Sequence, residues 1–202
     1  MRSAFVVKGS FIEEKRRRQI VDAAIDTIAE HGAANASFSK IAARVGISPS
    51  LISYHFASRS ELVAAVANTM NADLDAALEQ ATEGTDSCLA AARLLVDGFV
   101  RYADRNRNHM LAMLQLTVGS SPSDREAAAV LDQEHAIAEW QEFLREGQQA
   151  GEFRDFDLRT VALCLHALLT GVPRELFVNP ELDVDRFAAQ VADFAERAIR
   201  KT

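Results

Sequence analysis

Residues 37–56, SFSKIAARVGISPSLISYHF, decide the fold of the first part of this chain. Ser37 is a good N-cap for a helix over about residues 38–45, and Gly46 permits a sharp turn at its end. Ser48 then caps a second short helix, whose first turn tolerates Pro49 because an N–H there has no intrahelical partner. The inward positions are apolar: Phe38, Ile41, Ala42, Val45 and Ile52. Two short helices joined by a three-residue turn with a glycine predict a helix-turn-helix.

The second helix of this pair has a small, polar and aromatic outer face. That face consists of Ser50, Leu51, Ser53, Tyr54 and His55. In a helix-turn-helix the second helix enters the major groove, where such side chains meet base edges and phosphates. The pattern leaves one alternative open, an ordinary helical hairpin in which Tyr54 and His55 are boundary residues.

Positive charge gathers around the predicted reading helix. Lys15–Arg18 open the first helix, Lys40 and Arg44 lie on the second, and Arg59 opens the fourth. Cations at helix N-termini oppose the helix dipole, so bound phosphate explains them better than helix stability does. Residues 1–60 hold nine Lys or Arg against five Asp or Glu, whereas the remaining residues hold thirteen against twenty-four. A basic head on an acidic body predicts that the head meets an anion, plausibly nucleic acid.

The whole chain shows the apolar period of α-helices, and no strand pattern competes with it. We predict an all-α, two-domain protein of nine helices, with a three-helix helix-turn-helix head at 1–60 and a six-helix bundle at 61–202. One of the predicted helices is long, over about residues 124–150, and begins with a capping box of Ser123 and Glu126. The first helix is predicted over about residues 14–31.

Composition bounds the class of protein. Hydrophobic residues make up 49% of the chain and charged residues 25%, which is ordinary for a globular protein. We expect no membrane-spanning segment and no secretory signal, and therefore a cytoplasmic protein with no membrane partner. Cys88 and Cys164 are far apart in apolar helical patterns, which is typical of reduced core residues.

A homodimer is predicted from the apolar character of two helices near the C-terminus. Nine of the twelve residues from Val161 to Val172 are apolar, so a single buried face cannot cover that helix. The predicted interface comprises Val161, Leu165, Leu168, Leu169, Val172, Phe187, Val191 and Phe194. A central helix fully buried within a monomer is the alternative. A dimer also suits DNA, because two heads about one helical turn apart read a palindrome.

Residues 18–66 resemble the DNA-binding domain of the TetR family of transcriptional regulators. The matching residues are Ile20, Ala23, Ala24, Gly32, Ser37, Ile41, Ala42, Gly46, Ile47, Ser48, Tyr54, His55, Phe56, Ser58, Glu61 and Leu62. The resemblance implies a three-helix head, a ligand-binding helical body, and a dimer formed largely by the last two helices. This chain departs from the family pattern at Ser50, Leu51, Ser53 and Arg59, where Gly, Thr, Tyr and Lys are usual.

The resemblance also implies roles for individual residues. Phosphate contacts are carried over to Ser37, Tyr54, His55 and Arg59, and base contacts to Lys40, Ser50 and Leu51. The predicted DNA-binding set is completed by Arg17, Ser39, Arg44, Ser48 and Ser53. For a small-molecule effector, the body offers large apolar walls and a few polar groups: Phe99, Tyr102, His109, Met110, Met113, Leu114, Trp140 and Phe143. Plain core packing is the alternative for each of these eight.

The sequence contains few features that indicate another functional class. There is no glycine-rich phosphate loop, no His-Glu-x-x-His and no Gly-x-Ser-x-Gly elbow, so an enzyme is not expected. A metal site of His109, His135, His166 and Cys164 is a weak alternative, and no cofactor is predicted. A constitutive DNA-packaging protein disagrees with the acidic body. The expected function is a repressor released from a palindromic operator when a small molecule binds the body.

Overall fold

The computed structural model describes residues 3–118, 121–129 and 133–201, with side chains from Ile12 onward. Within these ranges the chain forms ten α-helices and one short 3₁₀ turn, which confirms the all-α class. The helices are α1 (Ser3–His31), α2 (Phe38–Val45), α3 (Pro49–His55), α4 (Arg59–Thr82), α5 (Cys88–Arg105), α6 (Arg107–Thr117), α7 (Pro122–Ala127), α8 (Gln133–Gln149), α9 (Leu158–Val178) and α10 (Val184–Ile199). The 3₁₀ turn, Ala33–Asn35, lies between α1 and α2.

The chain divides into two compact units. The first unit comprises Met1–Met70 and Leu111–Ala129, and the second comprises Asn71–Met110 and Val130–Thr202. Besides the head, the first unit therefore contains a segment with most of α6 and all of α7. The domain division predicted at residue 60 stays a prediction, because compactness alone does not show which segment folds or binds independently.

The head is built on the local signals of residues 37–56. Ser37 Oγ accepts a hydrogen bond from the Lys40 N–H, and Gly46 ends α2 in the left-handed region at φ 73°. In the core, α1 packs against α2 and α2 against α3. Ile20, Ile41, Ile52 and Phe56 are buried at the centre of this arrangement. The predicted pair of short helices is confirmed. The prediction succeeds because both caps and the turn depend on residues that are close in the chain.

Two helix boundaries differ from the prediction. Helix α1 begins at Ser3 and not near residue 14. The predicted helix over 124–150 is two helices, α7 and α8, so the predicted count of nine is wrong. Ser121, not Ser123, caps α7, and Pro122 occupies its first turn. The sequence has no Gly or Pro between Asp124 and Glu146 to signal the interruption.

The core of the second unit lies among α5, α8, α9 and α10. Helix α10 packs against α5, and α9 packs against both α8 and α5. Buried side chains of this core include Val96, Val100, Leu144, Leu165, Leu176, Ala192 and Ile199. The segment after α8 is joined to the end of α10, because Phe153 pairs with Arg200 in an isolated antiparallel bridge.

Helix α9 is unusually apolar for a helix with an exposed side. Among the described residues it is the one helix long and apolar enough to cross a membrane, with a mean hydropathy of 1.5 over eighteen residues, of which 28% are buried. The expectation that no segment qualifies was therefore wrong on composition. Helices of soluble cores pass the same test, and α9 packs against α5 and α8 in its own unit.

Candidate nucleic-acid interface

Helix α3 turns one apolar residue inward and its polar residues outward. Ile52 is fully buried, whereas Ser50 and Ser53 are exposed and Tyr54 is 73% exposed. Leu51 and His55 are partly exposed. The Tyr54 and His55 rings meet edge to face, with centroids 5.2 Å apart. The structure therefore presents the outer face predicted for α3 to solvent.

The C-terminal end of α3 is fixed by Arg17 of α1. Its guanidinium donates to the carbonyl of His55 at 2.6 Å and to the Glu61 carboxylate at 3.2 Å. The same group lies over the Phe56 ring, 4.1 Å from its centroid, a cation–π contact. Arg17 was predicted to bind DNA, yet its contacts orient α3 against α1 and α4.

The turn between α3 and α4 is closed by the capping box of Ser58 and Glu61. Ser58 Oγ accepts from the Glu61 N–H at 3.1 Å, and the Glu61 carboxylate accepts from the Ala57 N–H at 2.8 Å. The Ala57 N–H, and after it Arg17, hold the pKa of Glu61 below its ordinary value. The turn thus carries a carboxylate that stays ionised and keeps Arg17 in place.

The serines of the predicted interface have structural partners as well as exposed positions. Ser48 Oγ accepts from the Leu51 N–H at 3.3 Å and lies 2.8 Å from Ser50 Oγ. Ser53 Oγ donates to the Pro49 carbonyl at 3.3 Å. Ser37 is the exposed cap of α2, and Ser39 is exposed on its first turn. A hydroxyl carries two lone pairs and one hydrogen, so capping leaves capacity for a phosphate oxygen.

The cations predicted to bind DNA differ in which protein groups already hold them. Lys40 is exposed on α2. Arg44 pairs with Glu30 and lies 3.7 Å from Asp26, both on α1. Arg59 is held by Asp124 and by two backbone carbonyls. Sequence reasoning missed Glu30 and Asp124 as partners, because they lie 14 and 65 residues away from Arg44 and Arg59 and share no local pattern with them.

The residues predicted to bind a ligand form small clusters. Tyr102 Oη and His109 Nδ1 are 3.1 Å apart, and Tyr102 is 8% exposed. Trp140 and Phe143 meet edge to face with centroids 5.9 Å apart, and Phe143 also contacts Phe153. Met110 is buried, Phe99 and Met113 are partly exposed, and Leu114 is exposed.

Two clefts on the described surface are lined by other residues than that predicted set. A cleft of about 380 Å³ is lined by Arg16, Gln19, Asp22, Ala23, Asp26, Arg44 and Val45. A second, of about 230 Å³, is lined by Arg101, Asp104, Arg105, Asp183, Val184 and Asp185. In the described part of the chain, no group of three or more His, Cys, Asp or Glu side chains could hold a metal ion.

The residues predicted for the dimer interface separate into buried and exposed sets. Leu165, Leu169, Val172 and Val191 are buried within the protomer, so they have little surface left for a second copy. Val161, Leu168 and Phe187 are partly exposed, and Phe194 is 64% exposed. Sequence reasoning missed the other open apolar residues of α9, which are Leu163, Phe177 and Val178.

Comparison with known proteins agrees with this geometry. The family described as bacterial regulatory proteins, tetR family, matches residues 20–66. The HTH-type transcriptional regulator BetI 1 of Chromohalobacter salexigens is 31% identical over 100 residues, which cover 49% of this chain and 50% of that protein. The aligned residues therefore span about half the length of this curated relative.

Two solved structures share the fold over nearly the whole chain. A TetR-family transcriptional regulator from Rhodococcus sp. superposes with a TM-score of 0.77 at 22% identity, covering 93% of this chain and all of that one. SmeT, the repressor of the Stenotrophomonas maltophilia multidrug efflux pump SmeDEF, gives a TM-score of 0.71 at 25% identity, covering 92% and 90% of the two chains. These relatives are regulators, not enzymes.

Proposed function

We propose that the chain, whose residues 20–66 match the tetR family, is a homodimeric DNA-binding transcriptional regulator of that family that responds to a small molecule. One observation carries the proposal. Helix α3 is braced by α2, buries Ile52, and leaves Ser50, Ser53 and Tyr54 exposed. A helix held in this way can enter the major groove as a rigid unit.

The proposed contacts fall into two kinds. Lys40, Ser50 and Leu51 would contact base edges, which carry the sequence information. Ser37, Tyr54 and His55 would contact phosphate, with Ser39, Ser48 and Ser53 near the same backbone. Phosphate contacts fix the register of the helix on the duplex without reading sequence.

The proposed interface with a second copy lies on the exposed side of α9 and α10. The residues of α9 at 160, 163, 167, 170, 174 and 177 are all exposed and alternate in steps of three and four. This is the spacing of a helix seam that packs against another helix. Gly171 and Ala167 lie on that side, and a Cβ at Gly171 would meet no atom within 4 Å, so a second helix can approach closely.

Repression with release by an effector is the proposed mode of regulation. SmeT, whose fold matches, is a repressor. An effector must bind more tightly to the body conformation in which the two heads no longer match the operator, because equal affinity for both states shifts nothing. We propose that the effector contacts the residues clustered around Tyr102 and around Trp140.

The test of the proposed function begins with the wild-type protein and a random-sequence duplex library. Repeated selection should enrich an inverted repeat whose half-sites lie about one helical turn apart. In fluorescence anisotropy, the selected duplex should bind at least about 1,000-fold more tightly than a random duplex of equal length. Equal affinity for both duplexes would overturn the proposal and favour a protein that packages DNA without reading it.

A further inference from the structure

We propose that Asp124 of α7 positions the DNA-reading helices through Arg59, and that Arg59 is a positioning residue and not a phosphate ligand. This inference rests on the proposed function, since it concerns the geometry of the same interface. It reassigns a residue for which the family resemblance implies phosphate binding, and it gives a role to an acidic residue far from the reading helix.

The ion pair joins the first turn of α4 to α7. Arg59 Nε lies 3.2 Å from both oxygens of Asp124, and Nη2 lies 3.0 Å from Oδ2. The Asp124 side chain is 4% exposed and that of Arg59 is 38% exposed. A carboxylate this deeply buried is stabilised only while a cation stays beside it. Asp124 therefore fixes the position of the Arg59 guanidinium.

The other edge of the same guanidinium holds the start of the helix-turn-helix. Arg59 Nη1 donates to the Ala36 carbonyl at 2.8 Å, and Nη2 donates to the Ala33 carbonyl. Both carbonyls belong to the short connection between α1 and α2, and Ala36 directly precedes Ser37, the cap of α2. A shift of Arg59 would move the start of α2 and, through the α2–α3 packing, the reading helix itself.

The donors of Arg59 are largely used by these contacts. A guanidinium has five N–H groups in one plane, and the bonds to Asp124, Ala33 and Ala36 engage four of them. A phosphate contact needs the same planar edges. An ammonium at this position could not serve a carboxylate and two carbonyls in this fork geometry. The arginine of this chain therefore fits the bridging role specifically.

Helix α7 is itself held by hydrogen bonds, so Asp124 has a fixed position from which to bind Arg59. Ser121 Oγ accepts from the Asp124 N–H at 3.2 Å, and the Ser121 carbonyl accepts from the Arg125 N–H at 3.0 Å. Residues 111–129 belong to the same compact unit as the head. The placement of α7 thus contributes to the geometry of α2 and α3.

The experiment compares R59K, R59A, D124N and the R59K/D124N double variant with wild type, and uses E126Q as the matched control. Glu126 is an exposed carboxylate on the same short helix as Asp124. Each protein is titrated with the duplex selected by wild type, across a series of salt concentrations. Amide hydrogen exchange in residues 37–56 is measured on the free proteins.

We expect R59K and D124N each to bind the selected duplex about tenfold more weakly, with the double variant no weaker than the worse single one. The slope of log affinity against log salt should stay unchanged, because no phosphate contact is lost. Exchange in residues 37–56 should accelerate in both single variants and not in E126Q.

Two results would overturn the inference. One is wild-type affinity in R59K together with a salt slope that falls by about one in Arg59→Ala, the signature of a phosphate contact. The other is D124N behaving like E126Q in binding and exchange. If wild type selects no duplex at all, the proposed function fails. The positioning role of Asp124 is still tested in that case: faster exchange in D124N than in E126Q supports it, and equal exchange refutes it.

Discussion

Some residues of the candidate interface are held by contacts within the protein, and others are free to contact DNA with little effect on the fold. Arg17 is engaged by a carbonyl, a carboxylate and an aromatic ring. Ser48 caps α3. Tyr54 and Lys40 are both exposed. Substitutions at Tyr54 and Lys40 should therefore change DNA binding with little effect on folding.

Replacing Tyr54 with Ala should weaken binding to the selected duplex about tenfold, or about 1.4 kcal/mol, because ring and hydroxyl are both lost at the surface of α3. Tyr54→Phe separates the two groups by removing the hydroxyl alone. Anisotropy titrations measure affinity, and urea unfolding should show an unchanged midpoint, since the ring is 73% exposed. Wild-type affinity in Tyr54→Ala would place α3 away from the DNA.

Replacing Lys40 with Ala should weaken binding to the selected duplex about tenfold and binding to a random duplex much less, because a base contact carries sequence information. The matched control is Lys201→Ala, which removes an exposed lysine after α10. Anisotropy titrations with both duplexes measure the two affinities of each variant. An equal loss of affinity on both duplexes would mean that Lys40 contacts the DNA backbone and not a base edge.

At the scale of helices, a carboxylate ties the segment after α8 to the start of α5. Glu152 accepts from Ser87 Oγ at 2.6 Å and from the backbone N–H groups of Leu89 at 2.9 Å and Cys88 at 3.1 Å. These bonds satisfy N–H groups that have no intrahelical partner at a helix start. The Ser87 hydroxyl, followed by these amides, holds the pKa of Glu152 below its ordinary value of 4.5.

This shift predicts how stability depends on pH. Because the pKa of Glu152 is lower in the folded state, its contribution is fully present above pH 4.5 and is lost as pH falls through the folded pKa. Glu152→Gln should therefore be less stable than wild type at pH 7, and the difference should shrink at acidic pH. Urea unfolding between pH 7 and pH 3 measures it. Glu83→Gln, at an exposed carboxylate, is the control, and the same pH dependence in both variants would contradict the prediction.

At the scale of the whole molecule, α9 and α10 each leave large apolar side chains exposed. Leu163, Phe177, Val178 and Phe194 are between 44% and 64% exposed in one protomer. Large exposed apolar side chains are typical of association surfaces when they form a patch. We propose that a second copy, and not lipid, covers the exposed side of α9.

The variant Leu163→Glu with Phe194→Glu should therefore be monomeric, because charge would be buried unpaired in the seam. Sedimentation velocity should give the mass of two chains for wild type and one chain for the variant. Ile12→Glu is the control, since it changes an exposed apolar residue of α1 and should stay dimeric. A monomeric wild type that sediments with lipid vesicles would instead favour a membrane surface.

The sequence predicts the parts of this protein that neighbouring residues control. The caps at Ser37 and Ser48, the left-handed Gly46 and the orientation of Ile52 are all set within a few residues, so pattern reasoning located both helices of the head. The same reasoning placed the start of α1 too late and joined α7 to α8. Apolar periodicity reports which face is covered, and it does not report where a helix stops.

Tertiary structure alone decided which distant groups meet. Sequence shows that Arg17, Arg44 and Arg59 are cations, but only folding brings them to Glu61, Glu30 and Asp124. Likewise, α9 is apolar nearly all round in the sequence, and only packing shows that Leu165 is covered whereas Leu163 is open. The physical reason is that caps and turns depend on local hydrogen bonds and sterics, while ion pairs and burial depend on contacts between residues far apart in the chain.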